Sequence, residues 1–294
     1  MLEAEAIPGI IVNGLLRGAI FALVALGLNL QYGVGKVFNI AYGEFLMVGA
    51  LVTFMLYTSA AGIDPLVSMI ITGSITFLIG FGLYRTMFTS LRNRLPPAAF
   101  EGSSLLAAFG LIYIFQNIAL LISGDIPSKK IIYLNYSREF LGVRIPINQL
   151  VAFGIAIAIG VAFYIFVNRS RLGKAIRAAA QDPATAGLMG INIKLVLALC
   201  FGFGALLAGV AGSLVSTYAS VSEVMGLGYT VTAIIVMVLG GLGSVPGSFV
   251  GGFILGIVST ILVRLELSSL LVPIYYGIFL ILLIARPTGI LGKR

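Results

Sequence analysis

Nine apolar stretches, each near the length needed to cross a hydrocarbon layer as a helix, recur along this chain and set its class of fold. They cover residues 8–30, 45–60, 65–84, 103–123, 148–167, 194–218, 226–239, 247–263 and 269–285. A helix rises about 1.5 Å per residue, so about 20 apolar residues span a bilayer core. None of the stretches shows the two-residue alternation of a barrel strand. In lipid every backbone N–H and C=O has to be paired inside the protein, which leaves a helical bundle. The chain therefore reads as an all-α polytopic membrane protein with eight or nine transmembrane helices, forming one transmembrane domain over residues 1–294. With 60% hydrophobic and 10% charged residues it lies outside the range of soluble domains.

The net charge of +8 points to a membrane rather than to nucleic acid, because the basic residues cluster in a few loops between apolar stretches. Arg85, Arg92 and Arg94 mark one cytoplasmic loop, the insert at 168–193 a second, and Arg286, Lys293 and Arg294 place the C-terminus on the same side. Counting crossings then puts the N-terminus, with Glu3 and Glu5, outside. Those two carboxylates also argue against a cleavable signal, which would begin with basic residues. The loop 124–146 would be external despite Lys129, Lys130, Arg138 and Arg144, which Asp125 and Glu139 offset only in part. With no His, and Cys200 as the single Cys in an apolar run, neither a metal site nor a cofactor is expected. The lysines after Gly35, Gly173 and Gly292 lack the Ser or Thr and the upstream glycine of a phosphate loop, so the chain is not expected to be an ATPase itself.

Two glycine-rich segments, 32–44 and 239–247, interrupt the helical pattern at corresponding places in the two halves. Such pairs point to discontinuous helices in pseudo-repeated halves, whose free backbone groups line a transport path; tight turns are the alternative reading. Glu44 is the carboxylate in the first break. It serves either as a polar contact in a water-filled path or as a first-turn carboxylate complementing a helix dipole. Asn39, Tyr42 and Gly43 beside it, Gln116 and Asn117 in the stretch 103–123, and Gly240 and Gly241 in the second break complete the candidate path. Interhelical hydrogen bonding is the competing use of the two amides. Arg17 is read as snorkelling to the interface. Glycines spaced by four, at Gly14 and Gly18, Gly247 and Gly251, and Gly252 and Gly256, suit close helix packing.

The insert is polar and helix-forming. Arg169, Arg171, Lys174 and Arg177 crowd its approach, Asp182 can cap a new helix, Pro183 suits the first helical position, and Gly190 can stop the helix. A helix at residues 183–189, too short to be stable alone, needs a surface to pack on. Either a docked partner or lipid headgroups would supply it.

Four blocks together resemble the membrane permeases of branched-chain amino acid ABC importers, of the LivH type: residues 14–33 (GLLRGAIFALVALGLNLQYG) continuing through 39–50 (NIAYGEFLMVGA), then 171–192 (RLGKAIRAAAQDPATAGLMGIN), 238–247 (VLGGLGSVPG) and 286–289 (RPTG). The resemblance implies a permease of the inner (cytoplasmic) membrane. It also implies a second permease subunit of the LivM type, two ATPase subunits and an extracytoplasmic solute-binding protein as partners. Asp182, Pro183 and Gly190 then match the family's coupling helix. One position departs: the family commonly carries His where Tyr42 stands. Its members also move urea, short amides or aromatic acids, so the implied cargo is a branched-chain or hydrophobic amino acid or a related small solute. The alternative from another class is an ion-gradient-driven secondary transporter or channel, which would need ionisable residues in mid-span.

Overall fold

The helices begin and end at local signals. In a computed structural model of the protein, residues 6–59, 62–124, 130–140, 143–286 and 289–291 are described. Glu3, Glu5, Asp125, Lys129, Lys293 and Arg294, which entered the topology argument, lie outside them. The chain runs as α1 (Ala6–Gly35), α2 (Tyr42–Thr58) and α3 (Pro65–Leu83), which Asp64 caps by accepting from Leu66 N–H. One wider turn at Tyr84–Phe88 carries α3 into α4 (Thr89–Arg94). There follow α5 (Pro97–Ser123), α6 (Ile147–Arg169), α7 (Arg171–Gln181), α8 (Pro183–Leu188), α9 (Ile193–Ser216), α10 (Met225–Gly240), α11 (Val245–Arg264) and α12 (Leu271–Ala285). Among the described residues, six helical stretches are long and apolar enough to cross a membrane, and α2, α10 and α12 are shorter apolar helices beside them. This is the polytopic helical bundle expected from the apolar stretches.

One local element was not foreseen. Residues Ser137–Phe140 and Val143–Pro146 pair as an antiparallel hairpin, β1–β2, with Glu139 opposite Arg144, so one of the basic residues that conflicted with an external loop faces a carboxylate across the ladder.

Close backbone approach organises the core. A Cβ on Gly14 would stand 2.8 Å from Ile257 Cα, and one on Gly256 2.3 Å from the Gly14 carbonyl. The spaced glycines of α1 and α11 thus face one another. Hydroxyls add a second kind of contact: Thr53 of α2 donates to Ser213 of α9 at 2.8 Å, and Thr72 of α3 lies 2.6 Å from the same oxygen. Bonds of this kind inside a membrane protein contribute about 0.6 kcal/mol each. α9 and α1 are the most enclosed spans, while α3, α5 and α6 keep long apolar faces open, as lipid-facing helices do.

The bundle has two distinguishable ends. One carries the C-terminus of α1, the wide turn with α4, the insert α7–α8, and residues 290 and 291, whose N–H groups bond to the Leu239 and Gly240 carbonyls. The other carries the start of α1, the hairpin and the end of α11, where Gly9 packs close to Arg264 and Val143. Arg85, Arg92, Arg94, Arg171, Lys174 and Arg177 all belong to the elements of the first end.

Candidate functional site

The first glycine-rich break does not start where the glycines start. α1 continues through Gly33 and ends at Gly35, whose carbonyl accepts from Arg92 Nη2 at 2.8 Å. Lys36 takes a left-handed backbone (φ 51°), and the chain turns back into the bundle. Non-helical residues 36–41 then run inward until α2 starts at Tyr42. Depth is fixed by partners. Tyr42 Oη donates to the Gly204 carbonyl, in the middle of α9, at 3.2 Å. α2 is therefore a helix that begins inside the bundle, and its first N–H groups need partners from elsewhere.

Two pair within the break, Tyr42 N–H with the Asn39 carbonyl at 3.3 Å and Glu44 N–H with the Ala41 carbonyl at 3.1 Å, and a third pairs with a neighbouring helix. Gly43 N–H donates to Thr230 Oγ1 of α10 at 2.8 Å. Glu44, fully buried in the first turn of α2, accepts from Gln116 Nε2 of α5 at 3.2 Å through Oε1, while its Oε2 has no hydrogen-bond partner among the described residues. Gly226, at the start of α10, passes beneath it: a Cβ there would stand 2.7 Å from the carboxylate. The carboxylate thus sits where the N-terminal turns of α2 and α10 meet, in the positive ends of both helix dipoles. Before it, Asn39 Nδ2 donates to Gln31 Oε1 at 3.1 Å and Gln31 Nε2 donates to the Phe201 carbonyl at 3.0 Å. Asn39 Oδ1, also buried, makes no hydrogen bond among the described residues.

Asn39 bonds to Gln31 and Tyr42 to Gly204, while Gly43, Glu44 and Gln116 are brought together. Asn117 is not, since it lies on the exposed side of α5 and donates to Tyr113 O of its own helix at 2.8 Å. Gly240 and Gly241 lie apart, Gly240 as the last residue of α10 and Gly241 as the first of the four-residue link to α11, at the end of the bundle that carries α8. Asn29 of α1 holds that link, donating to Ser244 O and Ser248 Oγ at 3.0 Å each and accepting from Gly243 N–H. The two breaks, similar in sequence, differ in place: one re-enters the bundle and the other is a turn. Arg17 reaches toward Ser259 Oγ (3.4 Å) inside the bundle instead of snorkelling out. Gln31, Asn29, Thr230 and Gly226 escaped the sequence reading. The two amides were visible as polar residues two apart in an apolar run, whereas Thr230 and Gly226 carry no local signal.

The insert follows its sequence closely. Asp182 Oδ1 accepts from Ala184 N–H at 2.9 Å and Thr185 N–H at 3.2 Å, and the Thr185 hydroxyl bonds to Oδ2. The Thr185 hydroxyl, then the two N–H groups, hold the Asp182 carboxyl below the usual carboxylate range. α8 ends one residue earlier than expected, with Met189 as its cap and Gly190 at φ 84°. Gly190 N–H bonds to Gly187 O and Ile191 N–H to Ala186 O, the pairing of a left-handed helix stop. Leu188 and Met189, 88% and 79% exposed, form an apolar tip. Behind them Arg177 ties α7 to the end of α6 by donating to the Val167 carbonyl.

The chain resembles known proteins over nearly its whole length. Residues 10–286 match the family described as branched-chain amino acid transport system / permease component. The chain is 33% identical to the high-affinity branched-chain amino acid transport system permease protein BraD of Pseudomonas aeruginosa, covering 96% of this chain and 95% of that protein. It is 32% identical to the corresponding permease protein LivH of Escherichia coli over 96% and 94% of the two chains. The solved structure of PsaBC from Streptococcus pneumoniae in complex with Fab has the same fold, with a TM-score of 0.52 at 15% identity over 95% of this chain and 92% of that one. A re-entrant start to α2, a capped surface helix and a match running nearly end to end lead to one assignment: the chain belongs to the permease component family of branched-chain amino acid transport systems.

Proposed function

We propose that the chain forms one side of the membrane path of an ATP-driven importer in the cytoplasmic membrane, with α8 as the helix on which an ATPase subunit docks. The observation that carries this is α8 itself. A six-residue helix capped at both ends, with an apolar tip exposed at the basic end, is a rigid knob whose stability comes from its caps and from what covers it. The basic end is then cytoplasmic, and the start of α1 faces outward. The complete importer has a second permease subunit, two ATPase subunits and an extracytoplasmic solute-binding protein. Its cargo is a branched-chain or hydrophobic amino acid or a related small solute. The transmembrane domain extends over residues 1–294, with the coupling insert at 168–193.

In this reading Asn39, Tyr42, Glu44 and Gln116 are the polar points of the path. Asn39 and Glu44 each have a buried oxygen with bonding capacity left over, suited to a solute ammonium that is held briefly and released. ATP-driven movement of α8 is passed through α7 and Arg177 to α6, and the permease changes access because the docked partner contacts its two states differently. The same buried carboxylate favours the competing reading of a proton- or ion-coupled carrier.

Purification from native membranes followed by an ATPase assay separates the two. The importer reading expects ATPase subunits to accompany the chain and Asp182→Ala with Gly190→Ala to release or uncouple them. A chain that purifies alone and moves solute in liposomes on an ion gradient contradicts it. Glu44→Ala addresses the path: normal transport with normal coupling would remove the carboxylate from the mechanism.

A further inference from the structure

Apart from the candidate path, a cavity of about 580 Å³ opens between the insert and the bundle. Its walls come from five parts of the chain that meet only in the folded protein: the turn after α1, the wide turn with α4, the start of α5, the start of α8 and the start of α9. Three cations line it, Lys36, Arg92 and Lys194, against one carboxylate, Glu101. Lys194 stands in the first turn of α9, so that helix's positive end adds to the field. Arg92 is fixed by its bond to the Gly35 carbonyl and by stacking over Phe100, with 4.9 Å from guanidinium to ring centroid. Lys36 lies over the Tyr32 ring at 5.2 Å.

An independent observation points to a ligand. Tyr84, in the wide turn, lines the same cavity, is 1% exposed, and its hydroxyl has no hydrogen-bond partner among the described residues. A buried hydroxyl without a partner is costly unless something is there to receive it. Wide helical turns of this kind are frequent at functional sites. Phe100 and Leu197 supply apolar wall beside the cations, which suits an anion attached to a hydrocarbon or glycerol body.

We propose that this cavity binds a phosphate-bearing anion, taken either from an anionic phospholipid headgroup or as free phosphate, with Lys36, Arg92 and Lys194 as its cations and Tyr84 Oη as a hydrogen-bond donor. Pro183 and Ala184, the first turn of α8, form part of the rim. An anion in the cavity therefore joins α8 to the bundle, and transmission through α8 depends on occupancy. The site is separate from Glu44 and does not rest on the identity of the transported solute.

The test uses the full chain, purified with whatever subunits accompany it, in nanodiscs of phosphatidylcholine alone or of an equal mixture with phosphatidylglycerol. Native mass spectrometry reads retained lipid, and thermal unfolding in the phosphatidylcholine discs reads the effect of added inorganic phosphate at constant ionic strength. Wild-type protein is expected to retain phosphatidylglycerol over phosphatidylcholine, and Lys36→Gln with Lys194→Gln to reduce that preference by on the order of tenfold. Tyr84→Phe, which removes only the hydroxyl, is expected to lower it as well and serves if the double variant does not fold. A response to the lipid alone assigns the headgroup as the source, and a phosphate response abolished in the variants assigns the free anion. Equal retention and equal phosphate response in wild type and both variants overturns the proposal. So does a double variant that loses ATPase subunits while keeping its lipid preference, since the cavity then receives an acidic side chain of that partner.

Discussion

At Gly43 and Gly226 a single methyl group decides whether two helices can meet. A Cβ on Gly43 would stand 1.9 Å from the Gly226 carbonyl oxygen, inside any permitted contact, and the neighbour in its way is backbone. Gly43→Ala has to separate α2 from α10, which also breaks the Thr230 bond and lifts the cover from Glu44. Overpacking of this sort costs about 1–3 kcal/mol, to which the lost bond adds. Gly110 of α5 has open space around its Cβ position, so Gly110→Ala should be neutral or slightly stabilising. Thermal unfolding of the purified variants checks the pair, and equal melting of both would mean that the contact between α2 and α10 is not tight. Residues of this kind were poorly legible in the sequence. Glu44 stood out because a carboxylate in an apolar chain is conspicuous, but nothing around Gly226 announces what lies above it.

Among the elements, α8 was the most legible because each of its signals acts within a few residues. Asp182 reaches the next turn, Pro183 fixes its own φ, and Gly190 closes the helix by itself. The two glycine-rich breaks show the opposite case. They share composition, yet only the first turns inward, since that outcome depends on Gln31, Gly204 and Thr230 on other helices. The cap also has a pH signature. A carboxyl whose pKa is lowered by folding contributes stability above its unfolded pKa, about 3.9, and loses it as pH falls through the lower folded value. If α8 docks ATPase subunits as proposed, their retention should therefore be level between about pH 5 and 8. Within that range Asp182→Asn, which keeps an acceptor oxygen, should retain more than Asp182→Ala. Loss of the subunits centred near neutral pH would show that another group governs docking.

For the whole molecule, three basic anchors and the count of crossings between them separated two ends, against the charges of the hairpin loop, and the fold assembles each from distant stretches: α4, α7 and α8 at one, the hairpin and the end of α11 at the other. With Cys200, 1% exposed, replaced by Ala, a membrane-impermeant maleimide should label Met189→Cys from the cytoplasmic face and Leu267→Cys from the outer face. Labelling of both from one face would contradict the two-ended arrangement. The inward start of α2 reaches further, into how the protein is made. Its seat is cut largely from α9, where the Gly209 and Gly212 backbone touches Gly49 and Leu46, and from α10, both of which leave the ribosome long after α2 does. Membrane insertion of this chain therefore cannot proceed strictly span by span. The segment after α1 can reach its final seat only once the second half of the chain has arrived to receive it.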